Sequence, residues 1–161
     1  MIPEQPLAEI EDRAARRATT LLRGDSTSGR LAVVELREAR GQEPPRHLHA
    51  HEDEIVYVLE GMLTVYVGET AHWASVGSCL FLPRGTEHGY AVESAEARLL
   101  VVLVPAGFER FFGEADAAPS EAGIERLIAT AARYGVAITG PPPTIEETAP
   151  RTARGTGPSS G

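Results

Sequence analysis

Short apolar segments separated by turn-forming residues run from about residue 18 to residue 105. The predicted strands are, in order, ATTLL, RLAVVELREA, IVYVLE, MLTVYV, HWASV, CLFLP, HGYAVE and ARLLVVLVP. The turn RGDSTSG joins the first two, and a turn at Gly61 makes the clearest hairpin. Several short strands with regular turns are typical of a β-sandwich or barrel and not of a parallel α/β fold. The pattern therefore predicts an all-β barrel.

Two segments, residues 54–59 and 99–104, are apolar at nearly every position, which predicts strands that are covered on both faces. One face lines the barrel core, and the other meets a second sheet or a partner subunit. The only cysteine, Cys79, stands in the apolar run CLFL, and we expect it to be a small buried core residue.

The pattern changes after Pro105. FERFF predicts a short helix, and EAGIERLIATAARYG predicts an amphipathic helix with Ser120 as its N-cap and an end near Gly135. We expect this helix to pack on the outside of the barrel. The predicted organisation is an N-terminal extension (1–17), the barrel (18–106), a helical segment packing on it (107–140) and a disordered tail rich in Pro, Gly, Ser and Thr (141–161).

The composition limits the classes of partner that the protein is expected to bind. The 161 residues are 42% hydrophobic and 24% charged, which indicates one globular domain with tails. The net charge of -8 argues against nucleic acid, whose phosphates attract basic surfaces. One cysteine makes no disulfide framework, and no segment is typical of a membrane span or a secretion signal. We therefore expect a cytoplasmic protein without a nucleic-acid or membrane partner.

The stretch GQEPPRHLHAHEDEIVYVLEG, from Gly41 to Gly61, holds most of the candidate chemistry. It contains three histidines at alternate positions and three acidic residues directly after them: His47, His49, His51, Glu52, Asp53 and Glu54. Side chains two residues apart in a strand share a face, so two imidazoles can point at one place. Imidazole is a ready metal ligand, and a carboxylate across a bend supplies a charged oxygen donor. The stretch predicts a metal site but leaves its members open.

A further candidate ligand stands in the second half of the β region. GSCLFLPRGTEH, from Gly77 to His88, predicts a strand that enters a Pro-x-Gly turn, which fixes where the returning strand presents His88. If residues 45–60 and 77–92 lie opposite each other in a barrel, His88 approaches the acidic, histidine-rich stretch. His72 has no partner at a useful spacing, and we interpret it as a surface residue.

Over about residues 18–105 the chain resembles the cupins. Their first motif is Gly, five residues, His-x-His, three or four residues, Glu, six residues and Gly, which Gly41, His47, His49, Glu54 and Gly61 fit. The second is Gly, five residues, Pro-x-Gly, two residues, His, three residues and Asn, which Gly77, Pro83, Gly85 and His88 fit, with Val92 in place of Asn. The wider segments, including HEDE before IVYVLEG, are similar to the quercetin-dioxygenase-like branch of single-domain cupins.

The resemblance implies a double-stranded β-helix (jelly-roll) barrel with a short C-terminal helix and a tendency to form homodimers. It also implies that His47, His49, Glu54 and His88 bind one divalent transition metal per chain: Fe, Mn, Ni or Co, with Zn or Cu possible. The Val92 departure does not affect this set, because the family's Asn is not a ligand. His51 is then expected at an exposed bend, and Glu52 and Asp53 on a solvated rim.

Such a site predicts an enzyme with a small-molecule substrate, in first place an oxidoreductase: a dioxygenase of the quercetinase type that acts on an enolic or aromatic compound. Glu54 is its catalytic residue, accepting the substrate's hydroxyl proton. The predicted apolar walls suit a flat molecule and are Val56, Val58, Phe81, Tyr90, Val92, Leu99 and Val101. The alternatives are a non-redox isomerase or polyketide-type cyclase, and a metal-containing ligand-binding protein without turnover.

Overall fold

The computed structural model describes residues 17–116 and 123–145, which form ten strands and two α-helices. The strands are β1 Ala18–Leu22, β2 Ala32–Ala39, β3 Arg46–His49, β4 Asp53–Glu60, β5 Met62–Val67, β6 Thr70–Ser75, β7 Cys79–Leu82, β8 His88–Val92, β9 Glu96–Val104 and β10 Val136–Gly140. The helices are α1 Glu109–Asp116 and α2 Gly123–Arg133, and a 3-10 helix, Gly24–Thr27, lies between β1 and β2.

The strands form two five-stranded sheets in which all pairings are antiparallel. Sheet A has the order β1-β2-β9-β4-β7, and sheet B has the order β10-β3-β8-β5-β6. Neighbours in space are often distant in sequence, because the chain passes repeatedly from one sheet to the other. This is the jelly-roll arrangement, and it confirms the predicted all-β barrel.

The barrel interior is filled by alternate side chains of both sheets. In β9 the inward residues Ala97, Leu99, Val101 and Leu103 are buried, while their outward neighbours are partly exposed. Leu63 of sheet B is also fully buried against this core. Each fully buried leucine contributes about 1.5–3 kcal/mol to folding, so the core supplies a rigid frame for the residues at its ends.

The hairpin at Gly61 requires glycine for two reasons. Its φ is 85°, a left-handed conformation that side chains disfavour. A β-carbon there would also collide with the Glu96 carbonyl oxygen and the Ser94 hydroxyl. Glycine thus lets β4 turn directly into β5 and fixes the register of both strands.

The segment after the barrel differs in part from the prediction. Residues 136–140, expected in a helical segment, instead form β10, which pairs with β3 at the edge of sheet B. Helix α2 buries Ala131, whereas Ile124 and Ile128 are 58% and 42% exposed, so it contacts the barrel mainly through its last turns. Ser120, residues 1–16 and residues 146–161 lie outside the described residues. Neither described helix is long and apolar enough to cross a membrane.

Two expectations about β7 were wrong. Cys79 is exposed, and Phe81, expected in the apolar wall, is 59% exposed. β7 pairs with β4 so that Phe81 lies opposite Ile55 and Leu82 lies opposite Glu54. Since Glu54 and Leu82 face inward, the alternation of the strand places Phe81 and Cys79 outside.

Candidate metal centre

The three histidines of the centre come from two neighbouring strands of sheet B. His47 and His49 stand on β3, and His47 lies directly opposite His88, the first residue of β8. Directly opposite residues of an antiparallel pair point to the same face, with β-carbons about 4.5–5.5 Å apart. The pairing of β3 with β8 therefore brings His88 beside His47, as the Pro-x-Gly turn led us to expect.

Glu54 reaches the same place from the other sheet. The chain leaves β3 at His49, bends over three residues and starts β4 at Asp53, so that Glu54 is buried and faces the histidines. One Glu54 oxygen, Oε1, lies 3.3 Å from His49 Nε2, and the other, Oε2, lies 3.3 Å from His88 Nε2. The ligand atoms of His47, His49, Glu54 and His88 all lie within 4.8 Å of one another, a spacing at which one metal ion could contact all four.

Two histidines are oriented by backbone carbonyls. His47 Nδ1 lies 2.7 Å from the Pro45 oxygen, and His88 Nδ1 lies 3.0 Å from the Thr86 oxygen. A carbonyl only accepts hydrogen bonds, so each Nδ1 carries a proton, and in the neutral ring Nε2 then has the free lone pair. This is the tautomer that binds a metal through Nε2.

The residues present fit a cation. His49 Nε2 and His88 Nε2 are buried and make no hydrogen bond within the part of the chain that the structure describes. Buried polar atoms are nearly always satisfied, so two imidazole nitrogens aimed at one carboxylate call for an ion between them. Three nitrogens and one carboxylate oxygen form a donor set suited to a divalent transition metal.

The electrostatics of the centre keep Glu54 and His47 in the states that a metal needs. Burial would raise the pKa of Glu54, but its contact with His88 and the charges of His49, His88 and His47 outweigh burial and hold the pKa at about 2. Burial, followed by the charge of His88, lowers the pKa of His47 to about 4. At neutral pH Glu54 is therefore ionised and His47 is neutral.

Beyond the centre the barrel interior is mostly apolar. The predicted wall residues other than Phe81 are buried: Val56, Val58, Tyr90, Val92, Leu99 and Val101. Phe108, just before α1, closes one side with its ring edge on His49 at a centroid distance of 4.5 Å. These side chains all belong to the hydrophobic core of the barrel.

The other polar residues near the centre differ in their exposure and in the groups that they contact. His51 is exposed and contacts Gly135, and His72 is exposed on β6, as expected for both. Asp53 forms an ion pair of 2.7 Å with Arg84 at the rim. Glu52, expected on that rim, is only 5% exposed, and its Oε2 lies 3.4 Å from His49 Nδ1. The rim expectation for Glu52 was therefore wrong, because the bend between β3 and β4 brings its carboxylate to His49.

Comparisons with known proteins agree with this architecture. Residues 34–104 match the Cupin domain family. A quercetin 2,3-dioxygenase of Bacillus subtilis (strain 168) is 32% identical over 87 residues, which are 54% of this chain and 26% of that protein. The chain thus spans about a quarter of the length of that curated relative.

Two solved structures share the fold. KdgF from Halomonas sp. superposes with a TM-score of 0.52 at 20% identity, covering 58% of this chain and 81% of that one. TT1209 from Thermus thermophilus has a TM-score of 0.50 at 31% identity, covering 65% of this chain and 98% of that one. The family match over residues 34–104 and the two motifs show that this part of the chain is a cupin domain, whose fold the two solved structures share.

Proposed function

We propose that this chain is a cytoplasmic, metal-dependent enzyme of the quercetin-dioxygenase-like branch, which oxidises a small enolic or aromatic molecule with dioxygen. The observation that carries the proposal is the convergence of four donor residues at one end of an apolar barrel: His49, Glu54 and His88, which are buried, and His47, which is partly buried. We propose that they bind one Fe, Mn, Ni or Co ion per chain. The similarity to the Bacillus subtilis dioxygenase supports this choice among cupin activities.

Each ligand residue has a distinct part in the proposed reaction. The metal, when bound, supplies a Lewis acid that polarises a substrate oxygen and a route for electrons to dioxygen. The histidines hold their Nε2 atoms at fixed positions, because carbonyls or a carboxylate fix their Nδ1 atoms. Glu54, which bridges towards two of them, is the group placed to accept the proton of a substrate hydroxyl.

The apolar interior of the barrel supports the proposed class of substrate. Val56, Val58, Leu99 and Val101 present hydrocarbon to the interior, and Phe108 adds an aromatic ring beside His49. Such a surface stabilises a flat apolar ring system, while the metal selects a compound with an anionic oxygen. A flavonol and a small hydroxyketone are therefore the first compounds to test.

Oxygen consumption tests the proposed reaction directly. Protein loaded in turn with Fe, Mn, Ni or Co is mixed with each flavonol or hydroxyketone in an oxygen electrode. We expect uptake with at least one metal, and none with protein carrying His49→Ala. Substrate conversion without oxygen would instead identify an isomerase or cyclase, and tight ligand binding without conversion would identify a binding protein.

We further propose that the chain forms a homodimer through the outer apolar face of sheet A. This face consists of Ile55, Tyr57, Cys79, Phe81, Leu100 and Val102, which are neighbours in register on β4, β7 and β9. Tyr57 and Phe81 are 41% and 59% exposed, which is costly for aromatic rings in water.

Light scattering after gel filtration checks the dimer. We expect the unaltered chain to elute at twice its mass, and the double substitution of Tyr57→Glu with Phe81→Glu to elute as a monomer. Trp73→Glu, which alters a 63% exposed ring on sheet B, is the matched control and leaves the dimer intact. A monomeric unaltered chain at tens of micromolar, a concentration typical of such runs, would contradict the proposal.

A further inference from the structure

The third histidine of the centre is oriented by a side chain and not by the backbone. His49 Nδ1 lies 3.4 Å from Glu52 Oε2, whereas the Nδ1 atoms of His47 and His88 face carbonyl oxygens. His49 itself is fully buried and Glu52 is 5% exposed. The contact is therefore shielded from water, and an electrostatic contact is stronger there than at the surface.

The local fold leaves Glu52 few other interactions. Its carboxylate lies under the segment that leads into α1, where a β-carbon built on Gly107 would stand 3.4 Å from Oε1. Both oxygens of its neighbour Asp53 accept hydrogen bonds from Arg84 at the rim. The interaction described between Glu52 and Arg84 is the attraction of their charges. A buried carboxylate costs several kcal/mol unless a partner compensates it, and His49 Nδ1–H is the partner in hydrogen-bonding contact.

We infer that Glu52 is a positioning residue of the metal centre, which holds His49 through its Nδ1 proton and makes its Nε2 a stronger donor. The inference rests on the proposed metal site. A carboxylate behind a histidine fixes the ring and increases its basicity, and loss of such a partner typically weakens metal binding about 10–100-fold. Glu52 contacts neither the substrate nor the metal in this role.

Three substitutions separate orientation from simple structural support. Glu52→Ala removes the acceptor, Glu52→Gln keeps an acceptor oxygen at the same reach without the charge, and Glu52→Asp keeps the charge but withdraws it by one carbon–carbon bond, roughly 1.5 Å. Asp53→Asn is the matched control, because it removes a carboxylate one residue away that faces Arg84.

The readout is the affinity for Co²⁺, measured by competition with a chelator, together with the visible spectrum of the bound ion. We expect Glu52→Ala and Glu52→Asp to bind Co²⁺ about 10–100-fold more weakly than the unaltered chain, with an altered spectrum. Glu52→Gln should lose less, and Asp53→Asn should match the unaltered chain. Thermal unfolding without metal checks that each variant is folded. If Glu52→Ala is not folded, the Co²⁺ affinity of Glu52→Gln is compared with that of the unaltered chain instead.

Two results would overturn the inference. One is a folded Glu52→Ala or Glu52→Asp that binds Co²⁺ with unaltered affinity and spectrum; the other is an Asp53→Asn loss as large as that of Glu52→Ala. Failure of the proposed site itself looks different, because then the unaltered chain takes up no Co²⁺, Mn²⁺, Ni²⁺ or Fe²⁺ at all. The unaltered chain thus distinguishes a failed role for Glu52 from a failed metal site.

Discussion

The barrel buries a carboxylate towards each end, and their pKa values are shifted in opposite directions. Glu54 lies opposite Leu103 of β9 and Glu38 lies opposite Ala97, six residues or roughly 20 Å along the strand. The pKa of Glu54 is about 2, because the histidines outweigh burial, whereas burial raises the pKa of Glu38 although Arg17 partly offsets it. Burial alone therefore does not set the direction of the pKa shift; the neighbouring groups decide it.

The two carboxylates also differ in whether the chain supplies a cation to face them. Arg17 donates two hydrogen bonds to Glu38 Oε2, at 3.1 and 2.8 Å, so this carboxylate already has its cation. Glu54 has no arginine or lysine among the described ion pairs, and two histidine nitrogens beside it are unsatisfied. Glu38 thus faces a cation supplied by the chain itself, whereas the described ion pairs of Glu54 are with histidines alone, as the proposed metal site requires.

The largest expected effect comes from removing a histidine at the Glu54 end. His49→Ala or His88→Ala deletes one of four donors, and we expect the bound metal to fall below about a tenth of its level in the unaltered chain. The barrel core is built from other residues, so cooperative thermal unfolding should persist. Elemental analysis and circular dichroism measure the two properties, and folded variants with full metal content would contradict the assignment.

Replacing each carboxylate by an amide tests whether only the Glu54 end affects metal affinity. Glu54→Gln removes the charged ligand, and we expect a loss of metal affinity of more than about 100-fold, beyond the range for residues outside the ligand set. Glu38→Gln is the matched variant at the other end and should leave the affinity unchanged. Chelator competition measures the Co²⁺ affinity of both variants. Equal losses would contradict the assignment of the metal site to the Glu54 end alone.

A smaller effect is expected from Arg17→Ala. It leaves the Glu38 carboxylate buried without its cation, which we expect to lower the free energy of unfolding by about 1–3 kcal/mol. The low end of that range applies because the Arg17 side chain is 52% exposed. Urea unfolding measures the change, and metal affinity should not follow it.

The smallest effect concerns pH. Because folding raises the pKa of Glu38 above its usual 4.5, the contribution of this group to stability is full below pH 4.5 and declines as pH rises through the folded-state pKa. The stability of the unaltered chain relative to Glu38→Gln should therefore fall as the pH is raised above 4.5. Urea unfolding of both chains across this range measures it, and a flat difference would argue against the shift.

Much of the fold was predictable, because each strand has turn signals at its ends. The hairpin closed by Gly61 and the turn before His88 fixed the regions that approach each other. β10 was missed because residues 136–140 form a single edge strand whose partner, β3, is far away in sequence. Its pairing depends on tertiary structure, which local sequence patterns do not report.

The orientation of side chains was less predictable than the strands. CLFL is apolar throughout, so its sequence carries no alternation, and only the pairing of Leu82 with Glu54 shows that Phe81 and Cys79 face outward. Glu52 was placed on the rim because buried glutamates are rare. Its burial depends on the contact with His49, a partner that composition does not reveal.

Elemental analysis of the unaltered chain, purified without added metal and desalted, measures directly whether the chain binds a metal. We expect close to one divalent transition metal per chain, or uptake to that level when the apoprotein is incubated with Fe²⁺, Mn²⁺, Ni²⁺ or Co²⁺. A protein that carries no transition metal and takes up none, while it remains folded, would contradict the claim that His47, His49, Glu54 and His88 form a metal centre.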